Sequence, residues 1–233
     1  METAFDSTPL ETESPDDAPA TPPYRRALLA LLAVLALLAA ALGGYWLGRN
    51  TNPATDSVDV GFARDMSLHH EQAVRMAALI YDRSDDPAIR SLAFDILTTQ
   101  QGQIGIMSGW LDAWGLPWTS AGPRMAWMGM PTEGLMPGMA TTEQLDALRA
   151  ADGEAADVLF LQLMIPHHQG GVAMATDAAA RAEREPVRLM AASMVEAQTL
   201  EVAYMTELLQ AKGGALPTGA SPATDPGHDH GAP

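Results

Sequence analysis

Four of the six histidines in this chain fall in two adjacent pairs, His69–His70 and His167–His168, and methionines flank each pair. "DMSLHHEQAVRMA" covers residues 65–77 and "LMIPHHQGGVAMA" covers 163–175, so Met66, His69, His70 and Met76 recur 98 residues later as Met164, His167, His168 and Met174. At about 100° per residue, each set of four side chains shares one helical face of roughly 120°. A lone methionine at such spacing is core filler, and a lone histidine is more often a satisfied polar residue. The matched combination points elsewhere, because burying imidazoles without partners costs about 1–3 kcal/mol each. Imidazole and thioether together, with no thiolate and few carboxylates, suit a soft monovalent ion. Copper(I) fits best, with silver(I) as its mimic. A thioether has no proton to lose, so sulfur binds such an ion without the proton release that thiols require.

These faces need elements that hold them, and the sequence supplies two like hairpins. From Val58, the positions Met66, His69, His70, Ala73, Met76, Ala77 and Ile80 follow helical spacing. "RSDDP" ends that helix, with Ser84, Asp85 or Asp86 as the cap of a second helix over about 87–114. The second helix carries Gln100, Gln103, Ile104, Met107, Trp110, Leu111 and Trp114 on one stripe. Residues 116–140 form a loop rich in Gly, Pro, Trp and Met. Thr141 or Thr142 caps a short helix, a third long helix covers about 154–183, and a fourth covers about 186–211. The stripe of the fourth helix, Gln198, Glu201, Val202, Met205, Leu208 and Leu209, repeats that of the second at the same 98-residue offset. Gln103, Gln198 or Glu201 can hold the second ring nitrogen of a histidine, with Gln100 beside them. Small residues, Ala73 and Ala77 on one face and Gly171, Ala175 and Ala178 on the other, let the two histidine helices approach closely. The expected fold is all-α: a ferritin-like four-helix bundle of two repeated hairpins over 58–212. Pro166 lies inside the third helix, where it frees the carbonyl of Gln162 and allows a kink.

The crossover loop places Met125, Met128, Met130, Met136 and Met139 near Trp118 and Trp127. It can serve as a lid over the bundle mouth, as a mobile capture site for copper(I), or as an adhesive surface for a partner. His228 and His230 add a weak site in a flexible tail over 213–233.

Composition narrows the function. A net charge of −16 with only thirteen basic residues argues against nucleic acid. The absence of cysteine removes disulfides, thiolate sites and thiol catalysis. Residues 1–24 read as a disordered acidic cytoplasmic tail, 25–49 as one transmembrane helix, and 50–57 as a linker. The uncharged run at 27–48 is long enough to cross a bilayer core of roughly 30 Å. Arg25 and Arg26 before it put the N-terminus in the cytoplasm and the bundle outside. A cleaved signal peptide, giving a secreted product, is the rival reading.

The motifs "MSLHHEQAVRMA", "QQGQIGIMSGWL", "MPGM", "FLQLMIPHHQGGVAMA" and "QTLEVAYM", taken in order over about residues 58–211, resemble the domain-of-unknown-function-305 family. The resemblance implies an extracytoplasmic four-helix bundle, with copper binding and copper tolerance in some members. By motif, the ligands it implies are His69, His70, Met76, His167, His168 and Met174. Met66, Met164, Met107, Met205, Met136 and Met139 are further candidates. Family members commonly carry Glu at both positions where this chain has Gln103 and Glu201, so a symmetric carboxylate role does not carry over. A di-iron site needs Glu-x-x-His pairs, and the chain has none. No nucleophile with its base, phosphate loop or paired-carboxylate constellation occurs.

The sequence therefore predicts a membrane-anchored, outward-facing copper(I)/silver(I)-binding protein that buffers, chaperones or detoxifies the ion and is not an enzyme. A copper-handling membrane protein is its expected partner. The rivals are an interaction module that docks a partner through the Met/Trp loop, and a redox enzyme that uses the bound metal.

Overall fold

The computed structural model describes residues 23–48 and 52–216, so the acidic stretch 1–22 and the tail histidines His228 and His230 lie outside the described residues. The chain divides into two units at Thr51–Asn52. In the first, α1 (Pro23–Gly48) starts two residues before the expected span. Its stretch Tyr24–Tyr45 is the one described helix long and apolar enough to cross a membrane.

The second unit contains α2 (Val58–Tyr81), α3 (Pro87–Ala113), α4 (Thr142–Ala150), α5 (Gly153–Arg181) and α6 (Glu185–Ala211), with no strand among the described residues. Each start has a local cause. Ser57 accepts from the Val60 N–H at the head of α2. Asp86 is the cap of α3, accepting from Ala88 N with Pro87 in the first turn. Thr141 and Gln144 cap α4 reciprocally. α6 has no side-chain cap of its own. Instead, buried Asp59 in the first turn of α2 accepts from Glu183 N at 3.0 Å and Arg184 N at 2.9 Å, pinning the α5–α6 turn to the start of the other hairpin. At the opposite end, Lys212 bridges Asp86 (2.6 Å) and Asp157 (3.0 Å), tying the end of α6 to the starts of α3 and α5.

α2 packs on α3 and α5 on α6, and the hairpins meet chiefly through α2 and α5. The 98-residue repeat is a spatial repeat as well: Phe62 and Phe160, Ala93 and Ala191, and Ile96 and Met194 are equivalent and fully buried. Small residues make the central seam close, with Ala73, Ala77, Ala175 and Ala178 all without solvent exposure. Pro166 does not interrupt α5, which stays helical from Gly153 to Arg181.

Two boundaries differ from the sequence expectation. Within the expected linker, Asn52 donates to the Trp114 carbonyl, and Arg64 reaches the Thr55 carbonyl at 3.1 Å, so residues 52–57 pack on the bundle. At the far end, Gln162 donates to the Ala215 carbonyl at 2.7 Å, which extends the packed chain past residue 212.

Asp59→Ala leaves two backbone donors without their acceptor. The full chain should lose about 1–3 kcal/mol in urea unfolding, while the exposed Asp56→Ala should change nothing. Equal stabilities for the two variants would contradict the pinning role.

Candidate metal centre

All four paired histidines are buried at the α2–α5 seam, with at most 1% of any one exposed. The rings of His69 and His167 pack face to face at 3.9 Å between centroids, tilted by 36°. His168 lies 6.2 Å from His167. One histidine of each pair therefore meets its counterpart on the seam, and the other reaches toward the outer helix of its own hairpin.

The hydrogen bonds fix the chemistry of the rings. His70 Nε2 donates to Gln103 Oε1 at 2.8 Å, and His168 Nε2 donates to Glu201 Oε2 at the same distance. His69 Nε2 donates to the Pro137 carbonyl at 3.0 Å. A carboxylate or carbonyl only accepts, so each of these rings places a proton on Nε2, and in His69 and His70, which burial keeps neutral, that leaves a lone pair on Nδ1. The Nδ1 atoms of His69, His70 and His168 are buried without any hydrogen-bond partner, and so is Nε2 of His167. A buried polar atom with no partner demands an explanation. Four of them lie in one seam, and three of the rings donate their other N–H to an oxygen, a pattern that metal-ligating imidazoles share.

Burial pushes His69 down to about 4, with His168 adding to the effect, and burial and His69 push His70 down to about 3. His167 is also held well below the ordinary histidine value by burial and by the other three rings. These imidazoles stay neutral at pH 7, with lone pairs available.

Thioethers flank the rings on two sides. Met66, Met107 and Met174 belong to one core cluster, and their repeat equivalents Met164, Met205 and Met76 belong to another. All six have no solvent exposure. The sequence placed Met66 with Met76 on one helical face and Met164 with Met174 on another, whereas the structure divides each of these pairs between two clusters, each drawing on both hairpins. Among the described residues no three His, Asp or Glu side chains group as a ready-made ion cage.

Of the four proposed supporting polar residues, Gln103 and Glu201 hold histidines. Gln100 and Gln198 do not: Gln100 Oε1 is buried without a partner, and Gln198 lays its amide against Gly171, where a Cβ would overlap it.

The crossover loop is a packed cover. Its short 3-10 turn, Ala126–Met128, follows Met125 in the left-handed region at φ 62°. Asp65 Oδ2 accepts from Met125 N and from the Trp127 indole, both at 2.8 Å. Burial raises the Asp65 pKa against those hydrogen bonds. Gln72 clamps the other end, donating to the Ala140 carbonyl at 2.9 Å and accepting from Ala140 N at 2.7 Å. Between the clamps, Gly138 at φ 75° and Gly170 bring Pro137 onto α5, and a Cβ at either glycine would strike backbone. Met136 is buried and Met139 half-buried, one on each side of the Pro137–Gly138 turn. Trp118 and Met130 remain exposed, at 59% and 46%. A separate open cleft of about 510 Å³, bordered by Arg64, Asp65, Trp118 and Arg124, has no histidine or methionine in its walls.

The sequence reading missed Asp65, Gln72, Gly61 and Gly170 as loop holders. A signal was present, because each breaks the repeat: their partners at the 98-residue offset are Leu163, Gly170, Leu159 and Gln72. Gly61 makes room for the Trp127 side chain.

Residues 59–209 match the domain of unknown function DUF305. The chain belongs to the DUF305 family. A DUF305 protein from Streptomyces coelicolor, described as secreted, is 48% identical with a TM-score of 0.67, covering 70% of this chain and 98% of that one. CopM in its Cu(II)-bound form is 28% identical with a TM-score of 0.55, over 66% of this chain and 97% of CopM. Its Cu(I)-bound form matches at 28% identity and a TM-score of 0.51, over 67% and 98%. A curated relative, an uncharacterised protein of Acanthamoeba polyphaga mimivirus, is 39% identical over 54 residues, so the chain spans only 36% of that protein's length.

The depressed histidines make the metal-free DUF305 bundle acid-sensitive. Unfolding lets each ring return to its ordinary value of 6.5, so below that pH the unfolded chain binds protons that the folded one refuses. Stability should therefore fall as pH drops from 6.5 toward 4, by roughly 2 kcal/mol per such histidine at pH 5. Urea unfolding at pH 7 and pH 5 measures this, and equal midpoints would show rings that are protonated or solvated in the native state.

Proposed function

We propose that this chain is a membrane-anchored, outward-facing protein that binds copper(I) through His69, His70, His167 and His168 together with buried thioethers, and that it buffers or hands on the ion without catalysis. The observation that carries the reading is the set of four unpartnered ring nitrogens buried in one seam. Three of the four rings, His69, His70 and His168, are oriented by oxygen acceptors, as ligating imidazoles are.

Charge supports a monovalent ion. Taking a charge into a protein core is costly unless an opposite charge accompanies it. Glu201 supplies one carboxylate beside His168, and Gln103 supplies none at the equivalent place. One copper(I) with one carboxylate is neutral, whereas a divalent ion leaves a surplus. Neutral imidazoles and thioethers also bind without first losing protons. Met76 and Met174, then Met66, Met164, Met107 and Met205, are the proposed sulfur donors, with Met136 and Met139 contributed by the cover. Silver(I) would substitute by the same softness. CopM, at 28% identity, is known in Cu(I)- and Cu(II)-bound forms, which supports copper as the metal class.

For the rest of the chain, we propose that the acidic segment before α1 is cytoplasmic, that α1 is a single-pass anchor, and that the bundle faces outward toward a copper-handling membrane partner. The apolar length of α1 and the pair Arg25–Arg26 support this topology. Removal of α1 as a signal peptide is the alternative, and the mass of the mature chain separates the two. Exposed Trp118 and Met130 keep a partner-docking role for the loop open to test. Pull-down in metal-free buffer, lost on Trp118→Ala/Met130→Ala, would favour that second reading.

His167→Ala/His168→Ala should lower copper(I) affinity at least about 100-fold in competition with a chromophoric chelator, with helicity retained by circular dichroism. Unchanged affinity in a folded variant would defeat the assignment.

A further inference from the structure

The pseudo-twofold repeat would place methionine equally on both sides of the histidines, and the bundle departs from that. One core cluster holds Met76, Met164 and Met205, and the partly buried residues around it include no methionine among the described residues. The other holds Met66, Met107 and Met174 and adds buried Met125, Met136 and Met194. Half-buried Met128, Met139 and Met190 pack around this second cluster alone.

Packing does not account for the bias. Met190 and Met194 stand at the repeat positions of Leu92 and Ile96, which fill the same places in the opposite half with aliphatic carbon. Four of the remaining extra thioethers come from the crossover loop, the segment that also delivers the Pro137 carbonyl to His69 Nε2 at 3.0 Å. Their burial is graded from half-buried rim to sealed core. Buried Met136 is next in sequence to Pro137, the residue that touches His69.

We propose that this one-sided thioether cluster is the entry and exit route for the soft monovalent ion, leading from Met128, Met139 and Met190 through Met125, Met136 and Met194 to the His69–His167 seam, while the aliphatic side is closed. The inference rests on the copper(I)-binding reading above. A bare cation cannot cross an apolar core, because nothing replaces its lost solvation. Thioethers in sequence replace it at each step. They exchange a soft ion without moving a proton, so transfer does not wait on any titrating group. The rim around the other cluster, leucine and valine with Ala151 and Tyr81, offers no thioether among the described residues.

The test uses the full chain in detergent micelles under anaerobic conditions, with copper(I) bicinchoninate as donor. Met128→Leu/Met190→Leu changes only the two rim sulfurs not assigned to the binding site and keeps side-chain volume and hydrophobicity, so the fold should persist. Stopped-flow transfer from bicinchoninate should slow by roughly ten-fold, while the equilibrium competition titration returns the affinity of the unsubstituted chain. An unchanged transfer rate would overturn the route. Equal losses in rate and affinity would overturn it too, since they make these sulfurs ligands of the resting site. If the unsubstituted chain takes no copper(I) from bicinchoninate at equilibrium, the binding reading itself fails, and the route falls with it.

Discussion

Four imidazoles inside a close helix–helix seam are the constraint around which this bundle is arranged. Burial disfavours a charge on His69, His70 and His167, and a neutral ring still has one N–H to place and one lone pair left over. The N–H groups of His69, His70 and His168 are placed by three different parts of the chain: the Pro137 carbonyl in the loop, Gln103 on α3 and Glu201 on α6. Each acceptor fixes a ring, and each fixed ring leaves its other nitrogen without a partner. Replacing the imidazoles by leucine would remove that strain and leave a better core. The fold therefore keeps polar groups in its core at a thermodynamic cost.

Asymmetry is the second theme, and it has a location. The repeat is nearly complete wherever the two hairpins face each other. It breaks at Gly61, Asp65, Gln72 and Gly170, the residues that receive the crossover loop. A single loop cannot obey a twofold axis, so the surface it covers has to differ from its equivalent. Gln103 against Glu201 is the other break, and its effect is electrostatic: one carboxylate beside the seam in place of two. Glu201 keeps partial contact with solvent, with 25% of its side chain exposed.

Much of this was legible in the residues. Helical periodicity and the 98-residue offset gave the hairpins, their caps at Asp86 and Thr141, and the inward turn of both histidine pairs. Small residues on α2 and α5 announced the close seam. What pattern could not supply was any contact made by backbone. The Pro137 carbonyl has no side-chain signature, so the acceptor for His69 was invisible, and Gln198 was expected at a ring when it packs on Gly171. Periodicity also assigns a face without assigning a depth along the axis, which is why each methionine face divides between two sulfur clusters. Asp65 read as the polar start of a motif. Only its contrast with Leu163 marked it as buried.

The central claim is that the seam holds neutral rings whose free nitrogens receive a soft ion. Nitrogen-15 NMR of the histidine rings, recorded at pH 7 before and after one equivalent of silver(I), tests it most directly. The account predicts Nε2–H tautomers for His69 and His70 in the free protein, with silver shifting their Nδ1 resonances and leaving Nε2 protonated. Imidazolium signals from these two rings in the free protein, or ring nitrogens that silver leaves unmoved, would contradict it.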